Sequence, residues 1–303
     1  MNHFLDSVST LTAYAAEERA HYPMKQTERR RIVVAVAPVG KGDPPPAGNP
    51  LSPEEVARTT IDCTRAGAAM VHLHVRDQAG SQTADLKAFA QTLDMVRESC
   101  DIVIQGSTGG VSDLTLEERC VALNDPRVEV ASLNMGSVNF EETVYINSLP
   151  DIRYWASRMQ SVKVVPELEI FEAGMLAAVS RLVEEKTLLP PYYFNFGLGF
   201  HHALPADPTC LFFLKSMLPA GSPWGLVHDK MSDLSLLAAA IGLGASVVRV
   251  GFEDSIFYAP GEAARSNAEL VEKLVAMIRS MGCEPASPSD ARRLMGVTLL
   301  RGN

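Results

Sequence analysis

The sequence predicts a (β/α)8 barrel, and three observations carry that reading. Eight short apolar runs rich in Val, Ile and Leu recur along the chain, with helix-type segments between them. The alternation spans roughly 270 residues, close to the size such a barrel needs. Polar and charged residues collect just after the runs, at the end where a barrel builds its active site.

The runs are Ile32–Ala37, Ala69–Val75, Ile102–Gln105, Val128–Leu133, Val162–Ile170, Tyr193–Gly197, Trp224–Val227 and Ser246–Val250. Their near-continuous apolarity marks strands covered on both faces, as in a parallel sheet. A doubly wound open sheet is the alternative, but no GxGxxG follows the first run. Residues 1–30 show no strand period, although Leu11 to Ala20 reads as a short helix. They are expected to form an N-terminal arm, with residues 31–303 as the catalytic barrel. Pro44-Pro45-Pro46 stiffens the loop after the first run. Ser52 at N-cap, Pro53 at N1 and Glu55 at N3 then open a helix that Gly67 closes. Thr115 is a second N-cap. The helix from Asn267 to Met281 ends at Gly282, and Ser287-Pro288-Ser289-Asp290 starts a short terminal one.

Composition narrows the function. The chain has 303 residues, 47% of them apolar, and a formal net charge of -9 with no long basic run. Nucleic acid and anionic membrane are therefore excluded as expected partners. The five cysteines are an odd number with no CxxC pair, which fits reduced thiols. No 18-residue apolar segment and no leader-like start are present, so a cytoplasmic location is expected.

His72-Leu73-His74 ends the second run. Residues i and i+2 of a strand share a face, so both imidazoles converge and suit a zinc-class ion. The plainer reading is a pair of satisfied core histidines. Glu253, after the eighth run, is the natural third ligand and would leave a coordination position open. Otherwise Glu253 and Asp254 merely cap the next segment. Arg249 lies four residues before Glu253, placing both on the lumen side, as a structural ion pair or to orient a base. Ser107-Thr108-Gly109-Gly110 is a small-residue loop whose amides and hydroxyls suit a carboxylate. Glu167 and Glu169 share a face; one is expected to support the histidines and the other to pair with Arg249. His201 and His202 read as rim residues, and His228 as spare.

Taken together, these motifs resemble the β-keto acid cleavage enzyme family, over residues 31 to about 298. The marks are Ser52-Pro53-Glu54-Glu55, the stretch from Gly67 through His72-Leu73-His74-Val75-Arg76-Asp77, Ser107-Thr108-Gly109-Gly110, Ala131 through Phe140, Arg249-Val250-Gly251-Phe252-Glu253-Asp254-Ser255 and Ser266-Asn267-Ala268-Glu269. The resemblance implies a homotetrameric barrel with Zn2+ on His72, His74 and Glu253. It implies Asp254 as base with Arg249 orienting it, and substrate contacts from Ser107, Ser132 and Asn134. The implied reaction joins a β-keto acid to acetyl-CoA and splits the adduct into acetoacetate and a new acyl-CoA. Many relatives carry an acid shortly after the first strand, where it can meet a substrate amino group. Here that stretch reads Val39-Gly40-Lys41-Gly42-Asp43, so Lys41 argues against a cationic substrate.

Two rivals were weighed. A metal-dependent hydrolase of the amidohydrolase type also uses HxH on a barrel, but on its first strand and with a bridging lysine. A non-catalytic barrel would have no use for Arg249 beside a ligand carboxylate and a base.

Overall fold

The computed structural model describes residues 29–40, 46–110 and 113–297. Of the expected arm, residues 1–30, all but Arg29 and Arg30 lie outside the described residues. From Arg31 onward, eight strands and eight helices alternate: β1 Arg31–Val36, α1 Pro53–Ala66, β2 Met70–Leu73, α2 Lys87–Ser99, β3 Val103–Gly106, α3 Leu116–Arg119, β4 Val130–Asn134, α4 Leu149–Ser161, β5 Val165–Ile170, α5 Met175–Glu184, β6 Tyr193–Leu198, α6 Pro208–Met217, β7 Trp224–His228, α7 Ser235–Gly242, β8 Val247–Val250 and α8 Asn267–Ser280. A ninth helix, α9 Pro288–Met295, follows. Each strand pairs in parallel with the next, and β1 pairs with β8 through Val33↔Val247 and Ala35↔Arg249, which closes the barrel.

Local signals set the boundaries. Ser52 Oγ accepts from the Glu55 amide, the Glu55 carboxylate accepts from the Ser52 amide, and Gly67 at φ 115° ends α1. Such a cap contributes about 1 kcal/mol. The fifth strand begins at Val165 rather than Val162, because Lys163 at φ 56° turns the chain out of α4. No helix among the described residues is long and apolar enough to cross a membrane.

The strands are less uniform than their apolar runs suggest. Outward residues such as Val34, Val71, Ile104, Leu133, Leu168, Phe196 and Val248 pack against the helices in one large core. Inward residues at the N-terminal end, Val33, Ala35, Met70, Val103, Val130, Val165 and Val247, form a second core inside the barrel. One step further along six of the eight strands, the inward side chains become polar: His72, Gln105, Ser132, Glu167, Asn195 and Arg249, all buried. The period-2 alternation is present after all, but only in this upper layer. Apolar filling below and polar filling above direct the chemistry to the C-terminal end.

Candidate metal centre and active site

The second strand supplies His72, and the residue just past its end is His74, so both rings face the lumen. The rings meet edge to face with centroids 5.2 Å apart. Their Nε2 atoms lie 3.4 Å from each other, and Glu253 Oε1 lies 3.9 Å from His72 Nε2 and 3.6 Å from His74 Nε2. These three form the one group of potential metal ligands among the described residues. Zinc bonds of about 2.0–2.1 Å in a tetrahedron need ligand atoms roughly 3.4 Å apart, so the donors fit such an ion. Burial, ahead of the opposing pull of Glu253, lowers the His72 pKa to about 3. A neutral imidazole is what a metal requires.

Glu253 does not ride on a continued strand. β8 stops at Val250, and Gly251 at φ 144° bends the chain inward. A Cβ there would stand 2.2 Å from the Ala37 carbonyl oxygen, so only glycine passes so close to β1. The Glu253 amide then donates to that carbonyl at 3.2 Å, and the Asp254 amide to Gly251 O at 2.9 Å. The bend brings both acids back over the lumen. Arg249 Nε donates to Asp254 Oδ2 at 2.8 Å and Nη2 donates to Oδ1 at 2.5 Å, while Glu253 Oε1 lies 3.7 Å from Nη2. Burial opposes the Arg249 charge, but the Asp254 and Glu253 carboxylates outweigh it and raise the guanidinium pKa.

The loop after β3 lies beside this cluster but uses most of its own donors. The amides of Thr108, Gly109 and Gly110 donate to Ser132 Oγ, Ser107 Oγ and Tyr145 Oη, and Thr108 Oγ1 donates to Ser132 O. The carboxylate cradle expected from backbone amides is thus closed at these three positions, because intramolecular acceptors hold them. Ser107 Oγ keeps its proton to donate. Asn134 Nδ2 is a buried donor with no hydrogen-bond partner among the described residues. Leaving such a group unmet costs about 1–3 kcal/mol, so Asn134 is poised for a ligand oxygen. A Cβ on Gly109 would meet Tyr145 Oη at 2.3 Å, so that position must stay small. Lys41 lies outside the described residues.

The remaining expectations sort cleanly. His228 ends β7 with a buried Nδ1 that has no partner, away from the metal group. His201 and His202 are exposed and stacked, with His201 near Glu141, which also bonds Lys230. The direct partner of His72 is not a glutamate: Gln105 Oε1 lies 2.9 Å from its Nδ1. Gln82 meets His74 with the opposite polarity, its Nε2 lying 3.0 Å from Nδ1. Glu167 instead bonds Tyr193, and Glu169 contributes to the charge around Arg249. Gln105 was detectable in principle, as a polar inward residue ending an apolar run. Gln82 lies in a loop and carried no such signal.

Residues 31–297 match the β-keto acid cleavage enzyme family. A "3-keto-5-aminohexanoate cleavage enzyme" of Fusobacterium nucleatum is 34% identical over 250 residues, 82% of this chain and 90% of its own. One of the same name from Acetoanaerobium sticklandii is 35% identical over 82% of this chain and 91% of its own. A "3-oxoadipate:acetyl-CoA acetyltransferase" of Cupriavidus necator is 30% identical over 82% and 88%. Among solved structures, apo ObcA superposes with a TM-score of 0.70 at 20% identity; the match covers 82% of this chain and 65% of the ObcA chain.

Proposed function

The chain belongs to the β-keto acid cleavage enzyme family, and from that premise we propose that it is a zinc enzyme that condenses a β-keto acid with acetyl-CoA and cleaves the adduct. The products are acetoacetate and a new acyl-CoA. The observation that carries this reading is the meeting of His72, His74 and Glu253 with the doubly bonded Arg249–Asp254 pair at one end of the barrel. Among the described residues, no lysine is bonded to His72, His74 or Glu253.

Zinc held by His72, His74 and Glu253 supplies a Lewis acid that stabilises charge developing on the β-keto oxygen. Asp254 accepts a C2 proton of the keto acid, and Arg249 holds its carboxylate in place through both oxygens. Ser107 Oγ and Asn134 Nδ2 donate to the substrate carboxylate. Ser132 and Thr108 fix the loop that carries Ser107, and Gly109 leaves room. The carbanion attacks the acetyl thioester carbon and releases the CoA thiolate. That thiolate adds to the original keto carbon, retro-Claisen cleavage of the C2–C3 bond frees the new acyl-CoA, and the proton held by Asp254 returns to C2 to give acetoacetate.

A homotetramer, following the family resemblance, and a cytoplasmic location, following the five free cysteines, complete the reading. Relatives differ in side-chain charge: the aminohexanoate substrate is cationic, whereas 3-oxoadipate carries a second carboxylate. In sequence, Lys41 or Gly42 falls where many relatives carry an acid that can meet an amino group, and a substrate ammonium without an acidic partner in a desolvated pocket is costly. The substrate side chain is therefore neutral or anionic. A panel of β-keto acids with acetyl-CoA, following acetoacetate, tests both points. No turnover on any member sinks the activity, and the highest kcat/KM on the amino substrate sinks the specificity. Weakened acetyl-CoA saturation alone in Lys41→Ala would assign Lys41 to a CoA phosphate.

A further inference from the structure

His72 needs one tautomer to ligate a metal through Nε2, with its proton on Nδ1. We propose that Glu167, Tyr193 and Gln105 form a buried, directional hydrogen-bond chain that fixes this tautomer and so presents the Nε2 lone pair to the metal. The inference rests on the proposed metal site.

Strand register builds the chain. Gln105 pairs with His72 across β2 and β3, and Tyr193 pairs with Glu167 across β5 and β6. The two pairs meet through the barrel interior, where Gln105 Nε2 lies 3.3 Å from Tyr193 Oη. Tyr193 Oη bonds Glu167 Oε2, and Gln105 Oε1 lies 2.9 Å from His72 Nδ1. Exposures of 1% for Glu167, 0% for Tyr193, 0% for Gln105 and 3% for His72 close the chain off from bulk solvent.

Direction follows from donor counting. A carboxylate only accepts, so Tyr193 donates its proton to Glu167 and has only lone pairs left for Gln105. Burial first, and the neighbouring Glu167 charge second, push the Tyr193 phenol well above its usual pKa, so it keeps that proton. Gln105 must then turn its NH2 to Tyr193 and its carbonyl to His72. A carbonyl accepts, so His72 Nδ1 carries the proton. Reversing any link would put an N–H where the metal sits. Gln82, which serves His74, is only partly buried, so its amide is free to turn either way.

The test measures zinc affinity of the full-length chain by chelator competition, and the His72 tautomer of the metal-free chain by 15N NMR. Wild type should bind zinc and show His72 protonated on Nδ1. Tyr193→Phe, which frees the Gln105 amide to rotate, should show mixed tautomers and weaken zinc by about 10–100-fold, the usual scale for such partners. Should that variant not fold, Gln105→Leu is expected to lose as much affinity. Gln105→Glu, whose oxygens both accept, should stay within about threefold of wild type, a rescue that mere filling of space would not give. Unchanged affinity with a single Nδ1–H tautomer in Tyr193→Phe overturns the chain, as do equal affinities for Gln105→Leu and Gln105→Glu. A wild type that binds no zinc overturns the metal centre instead.

Discussion

Arg249 and Asp254 stand five residues apart, an odd spacing that would send them to opposite faces of a continuous strand. They nevertheless form a buried two-bond ion pair, because Gly251 bends the chain between them. The same bend places Glu253 near both histidines. One backbone turn thus brings two carboxylates to the same site, and the arginine lies against both.

If His72, His74 and Glu253 hold the ion, each removal should empty the site. His72→Ala and Glu253→Gln are expected to lose most bound zinc, read as metal per chain by elemental analysis. Unchanged stoichiometry in both would place the metal elsewhere.

The Asp254 carboxylate separates binding from proton transfer. Asp254→Asn should retain zinc and fold while turnover falls by at least about 10²-fold, the scale of a lost general base. Near-normal turnover would remove Asp254 from that role and make Glu169 the next residue to test.

Removing the guanidinium leaves two buried carboxylates facing each other. Breaking a buried pair in this way destabilises by about 3–5 kcal/mol. Urea unfolding of Arg249→Ala should show a loss of that order, with Arg249→Lys between it and wild type. A loss under about 1 kcal/mol for Arg249→Ala would mean that the pair adds little to the fold.

Acid should weaken the metal-free chain through His72. Its folded pKa, near 3, lies below the ordinary value of 6.5, mainly because burial disfavours the charge. Between those values the unfolded chain binds a proton that the folded chain refuses, so stability falls as pH falls from about 6.5 toward 3. The His72 contribution reaches about 1.4 kcal/mol per pH unit. Urea unfolding of the chelated chain at several pH values, wild type against His72→Gln, isolates it. Parallel pH profiles would show that His72 titrates normally.

The barrel was legible in the sequence because its signals are local. Apolar runs, Ser52 with Glu55, and Gly67 each act within a few residues, and the helix they predict over Pro53–Ala66 is the one that forms. The spacing of His72 and His74 was equally local, since two residues on a strand share a face whatever surrounds them. Tertiary structure decided the rest. Gln105 reaches His72 through strand pairing, and Tyr193 reaches Gln105 across the barrel interior from 88 positions away in sequence. The glutamate expected beside His72 does not touch it for that reason: a shared face does not say which residue lies opposite. Asp254 turned inward only because Gly251, pressed against Ala37, takes a backbone conformation that strand periodicity does not contain. Periodicity along the chain determines which face a side chain takes, and closure of the barrel determines what it meets there.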